Sequence, residues 1–242
     1  PGFRMMATDS ARLCHWHVQP DAAHLAAALS QKLQSLSDGA IADHGRVRIG
    51  LAGGSTPMAA YADFAAADMP WPQVRLALID ERCVPLTDAK SNERAIAVAF
   101  AGVRTQLGAW QGLYTETADA AATADAAIRN FGLPFDITVI GMGADGHIAS
   151  LFVESADYET AMDAATDRAV LPMRFSAGEG KTDRLSFTLP ALLQTRCVLF
   201  CISGDDKRDV LERSLDGRAP HYAAARFLAE YDGPVDIFWS PA

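Results

Sequence analysis

The chain has 242 residues, half of them hydrophobic, and a formal net charge of −9. That length suffices for one large domain burying roughly 70–75% of its unfolded surface, so the core needs no covalent staples. The negative charge argues against a nucleic-acid coat or an anionic membrane surface as partner, yet permits a phosphorylated metabolite held by a few backbone N–H groups and one or two cations.

The sequence shows no long apolar span, signal-peptide pattern or low-complexity tract, which reads as a cytoplasmic protein. Pro1-Gly2-Phe3-Arg4 ahead of Met5-Met6 reads as an expression remnant or a truncated start and stands outside the fold reading. His15-Trp16-His17 puts two imidazoles on one strand face. Apolar and alanine positions at helical spacing predict a helix over 21–36, punctuated by Asp38-Gly39. An apolar run over 47–52 is the first strong strand, and Gly53-Gly54-Ser55-Thr56-Pro57 opens a helix over 58–67. The next strand covers 74–79, followed by Asp80-Glu81-Arg82. Helices are predicted over 92–100 and 118–130, and a strand over 135–140. Residues 169–173 and 185–187 are weaker strands, and Thr188-Leu189-Pro190 starts a short helix. A strand over 197–202, helices over 203–215 and 221–230 and a last strand over 235–239 complete the chain.

Continuous apolar strands separated by helices predict an α/β fold: a mostly parallel, doubly wound, Rossmann-like sheet with helices on both faces. Right-handed crossovers then place the strand carboxyl ends on one edge, where ligands of such sheets bind. No linker or repeat divides the chain, so residues 1–242 read as a single α/β domain, with 178–183 the best candidate for a mobile loop. The cysteines are Cys14, Cys83, Cys197 and Cys201. Cys197 and Cys201 share one predicted strand, roughly 13 Å apart at ~3.3 Å per residue. That exceeds the ~7 Å a disulfide tolerates, so reduced core thiols are expected.

Four turns carry the polar chemistry. Gly53 and Gly54 let backbone N–H groups approach a ligand, Ser55 and Thr56 add hydroxyls, and Thr56 is suited to cap a helix beginning at Pro57. Free N–H groups and a positive dipole end suit a phosphate there. In Asp80-Glu81-Arg82, the guanidinium suits phosphate or carboxylate oxygens, and Glu81 reads as a rim salt bridge. Gly141-Met-Gly-Ala-Asp-Gly-His147 ends a buried strand with Asp145 and His147, a neutral imidazole able to take and return a proton and a carboxylate to orient it or contact the ligand. Ser203 and Asp206 fit a capping box, and Lys207 falls in the first turn of the next helix, where a cation opposes the dipole unless an anion is within reach.

Other chemistries fit less well. Gly141, Gly143 and Gly146 match a dinucleotide fingerprint, but no strand ending in an acidic residue follows about 20 positions on. The turn at 53–57 lacks the Gly-Lys-Ser/Thr ending of a P-loop, no third ligand accompanies His15 and His17, and there is no G-x-S-x-G elbow.

Together the residues resemble the 6-phosphogluconolactonase family, in the superfamily that also holds glucosamine-6-phosphate deaminase. The resemblance runs from about residue 47 to 215. It rests on Gly53-Gly-Ser-Thr-Pro57, Asp80-Glu-Arg82 with Ser91-Asn92, Gly141-Met-Gly-Ala-Asp-Gly-His-Ile-Ala-Ser-Leu-Phe152, Arg184-Leu-Ser-Phe-Thr-Leu-Pro190 and Ser203-Gly204 with Lys207. It implies hydrolysis of a 6-phosphosugar δ-lactone without metal or organic cofactor, by a monomer or homodimer, with no nucleic acid or membrane as partner. His147 would be the general base, and Asp145 and Asp80 would shape the sugar site. Gly54, Ser55, Thr56 and Lys207, with Gly53 in the same turn, would hold the phosphate, and Arg82 would contact the substrate. The chain departs from the family pattern at Ile148, at Val153-Glu154 and at Gly180-Lys181, so the resemblance assigns no role to Lys181. The deaminase pattern has a glutamate five residues after the histidine, where Phe152 stands here. A sugar-phosphate-sensing regulatory module would be expected to bring a helix-turn-helix segment, and none is evident before residue 47.

Overall fold

The computed structural model describes residues 14–176 and 181–242. Residues 1–4, and 178–180 of the loop expected at 178–183, lie outside the described residues. Strand β1 (Cys14–Val18) leads into helix α1 (Ala22–His44) and strand β2 (Val47–Leu51). Then come α2 (Met58–Ala65), a 3-10 turn (Trp71–Gln73), β3 (Val74–Leu78), β4 (Asp80–Arg82), α3 (Asn92–Ala99), β5 (Ala109–Gln111), α4 (Ala120–Phe131) and β6 (Ile137–Ile140). The remainder is α5 (Tyr158–Met162), β7 (Val170–Met173), β8 (Arg184–Phe187), α6 (Leu189–Leu193), β9 (Val198–Ser203), α7 (Asp205–Leu215), α8 (Ala223–Glu230) and β10 (Val235–Ser240).

Seven strands form one sheet in the order β1-β10-β9-β6-β2-β3-β5, every neighbouring pair parallel. All residues of β6 and β10 are buried. Successive side chains of a strand point to opposite faces, so the sheet is covered on both, as the continuous apolar runs predict. The chain winds outward from β2 to β3 and β5, then returns to place β6 on the other side of β2. Chain direction therefore diverges between β2 and β6, the switch point at which an open parallel sheet leaves a crevice.

Three features differ from the sequence expectation. Helix α1 runs past Gly39 to a left-handed Gly45 (φ 77°), whose N–H bonds the Ile41 carbonyl. An interior glycine costs only about 1 kcal/mol, and Leu25, Leu29 and Leu33 of this helix are buried in the core. Strand β5 and the short helix α5 carry too few apolar residues to register as periodic patterns. Residues 169–173 and 185–187 are indeed strands, but they join Asp80–Arg82 in a separate antiparallel sheet, β4-β8-β7. Short strands look alike in sequence whichever sheet they join; pairing is decided by partners far along the chain.

Candidate active site

A cleft of ≈ 230 Å³ opens at the switch point. Its wall includes Gly53, Gly54, Ser55 and Thr56 after β2, Gly141 to Gly143 and His147 after β6, and Lys207 after β9. Asp80, Arg82 and Arg184 complete it from the small sheet. Three of the four expected turns thus meet on one edge because three adjacent parallel strands deliver them.

The turn after β2 is shaped by close approach. A Cβ on Gly53 would lie 2.0 Å from Asn92 Oδ1, and Gly54 has φ +94°, in the left-handed region that favours glycine. Asn92 in turn donates its side-chain amide to the Asp80 carbonyl at 3.1 Å, tying this turn to β4. Thr56 does not cap α2: the cap residue is Pro57, with no side-chain hydrogen bond. Proline supplies a helix-compatible φ of −82°, and its carbonyl accepts from the Tyr61 N–H, so the helix starts at Met58 as expected but its cap falls one residue after Thr56. The helix's first N–H groups therefore lack a side-chain acceptor, the arrangement that suits an anion.

Lys207 lies in the first turn of α7 and reaches the same cleft. The expected capping box is absent. Gly204 (φ 91°) is the cap residue, and the Ser203 hydroxyl donates to the Pro241 carbonyl at 3.1 Å. Among the described residues no carboxylate lies within ion-pairing distance of Lys207, although the chain carries 30 acidic side chains. A cation placed against a helix dipole without a counter-ion has an uncompensated cost that a bound anion would remove.

Asp80-Glu81-Arg82 is strand β4 rather than a turn, and its register sets Arg82 directly opposite Arg184 of β8. Like charges facing each other across a ladder repel. Both guanidiniums line the cleft, and the Nε of each is buried without a hydrogen-bond partner. Burial, and next the neighbouring Arg82, pull the Arg184 pKa below its ordinary value. An anion between the two would answer both the repulsion and the orphaned donors. Glu81 is no rim salt bridge. It is buried and accepts from the N–H groups of Arg82, Asn92 and Glu93 and from the Ser91 hydroxyl, capping α3. Burial nevertheless leaves its pKa raised. The Asp80 carboxylate is buried at the cleft wall and accepts from the Ser150 hydroxyl at 2.7 Å.

After β6 the chain doubles back, closed by the Gly143 N–H to His147 carbonyl bond at 3.0 Å. His147 Nδ1 lies 2.5 Å from Asp145 Oδ1. The hydrogen bond with His147 holds the Asp145 carboxyl well down, at about 2. Asp145 is therefore an acceptor near neutrality, so Nδ1 carries the proton and Nε2 keeps its lone pair. A Cβ on Gly143 would stand 2.3 Å from the imidazole, so only glycine leaves room for the dyad to fold onto this backbone. Next to it, Ala149 is the one non-glycine residue with positive φ (47°) among the described residues, a strained conformation at the cleft wall.

The cleft thus gathers His147, Gly53, Gly54, Ser55, Thr56, Asp80, Arg82 and Lys207. Asp145 is brought to the imidazole rather than to the cleft; it lines a separate cavity behind it with Glu154, Tyr158, His221 and Tyr222. The sequence reading gave no role to Arg184 or Asn92, which reach the cleft only because β4 pairs antiparallel with β8 and α3 follows β4. Their motifs were visible in the family resemblance, but nothing local marked them as site residues. Among the described residues, no group of three His, Cys, Asp or Glu side chains is arranged to hold a metal ion. No described helix is long and apolar enough to cross a membrane.

Comparison with known proteins agrees with this geometry. The family model described as glucosamine-6-phosphate isomerases/6-phosphogluconolactonase matches residues 20–238. A 6-phosphogluconolactonase of Mesorhizobium japonicum is 34% identical over 94% of this chain and 95% of its own length. One from Pseudomonas putida is 34% identical over 93% of this chain and 92% of its own. The crystal structure of a 6-phosphogluconolactonase from Shewanella baltica superposes with a TM-score of 0.86 at 28% identity, covering 94% of this chain and 97% of that one. The chain belongs to the glucosamine-6-phosphate isomerase/6-phosphogluconolactonase family.

Proposed function

We infer that this chain is a 6-phosphogluconolactonase, hydrolysing 6-phospho-D-glucono-1,5-lactone to 6-phosphogluconate in the pentose phosphate pathway. The observation that carries the reading is one cleft holding an oriented imidazole beside three cations, in a chain whose close relatives bear that name. Arg82, Arg184 and Lys207, with the backbone and hydroxyls of the turn at 53–56, hold the phosphate and anchor the substrate by a group remote from the reacting carbonyl. His147 Nε2 takes a proton from water as its oxygen attacks the lactone carbonyl. The imidazolium then returns that proton to the ring oxygen as the ester bond breaks. Asp145 fixes the tautomer and steadies the imidazolium. The Asp80 carboxylate is placed to accept from a sugar hydroxyl. The enzyme works in the cytoplasm without metal or organic cofactor, as a monomer or homodimer.

The deaminase reading is disfavoured by a specific contact. Glu154, the nearest glutamate after His147, pairs with Lys181 at 3.3 Å and lines the cavity behind the dyad rather than the cleft. The direct test supplies fresh 6-phosphogluconolactone and, separately, glucosamine-6-phosphate. Acid release from the first without ammonia release from the second is expected, and the reverse would overturn the assignment. His147→Ala should lose about 10²- to 10⁴-fold in turnover. Lys207→Ala should mainly raise KM for the phosphorylated lactone and leave a non-phosphorylated lactone unaffected.

A further inference from the structure

Asp145 holds the imidazole of His147 at one ring atom only. A single hydrogen bond fixes a direction but leaves the ring free to rotate about it. The second restraint is Phe152, whose ring lies 3.9 Å from the imidazole centroid at an interplanar angle of 31°. Phe152 is itself held: Phe175 packs edge-on against it at 5.6 Å, and it is buried although its chain neighbour Val153 is exposed. The guanidinium carbon of Arg184 stands 4.8 Å from the same ring centroid, and the Lys181 ammonium 5.5 Å. One aromatic ring therefore touches both the proton-transferring group and a guanidinium of the anion-holding cleft, and the sequence reading gave it no part in the chemistry.

We propose that Phe152 is a positioning residue for the proton transfer: its face sets the plane of the His147 imidazole, favours the imidazolium formed during turnover, and seats Arg184 in the cleft. An aromatic face carries negative potential and attracts a cation stacked on it. The imidazole becomes such a cation when it takes the proton from water. The proposal rests on the assignment of His147 as general base. Other charged groups share the surroundings of the imidazole: Asp145 is bonded to it, Asp80 and Arg82 from β4, Arg184 from β8 and Lys207 from α7 line the same cleft, Glu154 and His221 line the cavity behind it, and Lys181 stands over the Phe152 ring. A substitution at position 152 removes none of them, and a loosened Arg184, a like charge moving away, would raise the imidazole titration, so a lowered titration reports the lost ring face.

The test compares Phe152→Leu and Phe152→Met, which keep an apolar side chain without a ring face, with Phe152→Tyr, which keeps the face, and with His147→Ala as reference. Turnover of 6-phosphogluconolactone is followed against pH, and the imidazole proton resonances of His147, assigned by their loss in His147→Ala, are titrated by NMR. The Leu and Met variants are expected to lose roughly tenfold or more in kcat, with a smaller rise in KM from the loosened Arg184. Their imidazole should titrate about half a pH unit below that of the parent, the size expected of one cation–π contact. The Tyr variant should restore both. Full kcat in the folded Leu or Met variant, or a lowered kcat with an unmoved or raised imidazole titration, would overturn the role of Phe152 while leaving His147 as base. Full turnover in His147→Ala would remove the assignment on which it rests.

Discussion

At the residue scale the dyad is an exercise in giving one imidazole a single useful state. The Asp145 carboxyl, held at about 2, stays charged near neutrality, so Nδ1 is the atom that donates to it and Nε2 is free to act as the proposed base. Asp145→Asn should cost about 10²- to 10⁴-fold in kcat with little change in KM, because an amide can donate to Nδ1 and so impose the wrong tautomer. The sign of the pH response follows from the same pair. As pH falls, the imidazole takes up a proton and the base is lost, while the carboxylate does not titrate until about pH 2. The acid limb of kcat/KM should therefore show a single proton. A limb of slope two would mean a second essential carboxylate.

At the element scale the informative case is Glu81. Its neighbours Asp80 and Arg82 face the cleft, while Glu81 turns inward to cap α3, because successive side chains of β4 point opposite ways. A buried anion at a helix N-terminus answers N–H groups that would otherwise be orphaned. Glu81→Ala should destabilise the fold by on the order of 3 kcal/mol, read from the urea midpoint at unchanged slope, since several buried donors lose their acceptor. Activity per folded molecule should fall too, because Asn92, at the start of α3, packs closely against Gly53 of the cleft turn and bonds the Asp80 carbonyl. The caps at Asp21, Ser91 and Thr188 show ordinary side-chain capping where no ligand is implied. Of the caps without it, Pro57 and Gly204 border the cleft turns, while Asp157 of α5 and Tyr222 of α8 do not line the cleft.

At the scale of the whole molecule, strand order makes the site. β2, β6 and β9 are neighbours in the sheet but start about 90 and 60 residues apart in the chain, at Val47, Ile137 and Val198. The core beneath them must be rigid for the cleft to keep its geometry. Phe200 of β9 is fully buried and meets Phe227 of α8 at 6.4 Å, edge to face. Phe200→Ala should cost about 3–5 kcal/mol in unfolding free energy. If that loss is confined to stability, kcat at temperatures well below the lowered Tm should stay near the parent value.

Sequence alone determined the alternation of apolar strands with helices, hence the parallel doubly wound sheet, and it marked the turns at 53–56, 141–147 and 203–207 through glycines beside hydroxyls, a histidine and a lysine. Those signals are local: periodicity and turn chemistry are written within a dozen residues. Tertiary structure alone decided that Asp80–Arg82 is a strand, that Arg184 stands opposite Arg82, that Asp145 sits behind the imidazole and that Phe152 covers it. Each of those depends on a pairing or a packing contact, and the partner for such a contact is selected by the energy of the assembled core rather than by the neighbours in the chain.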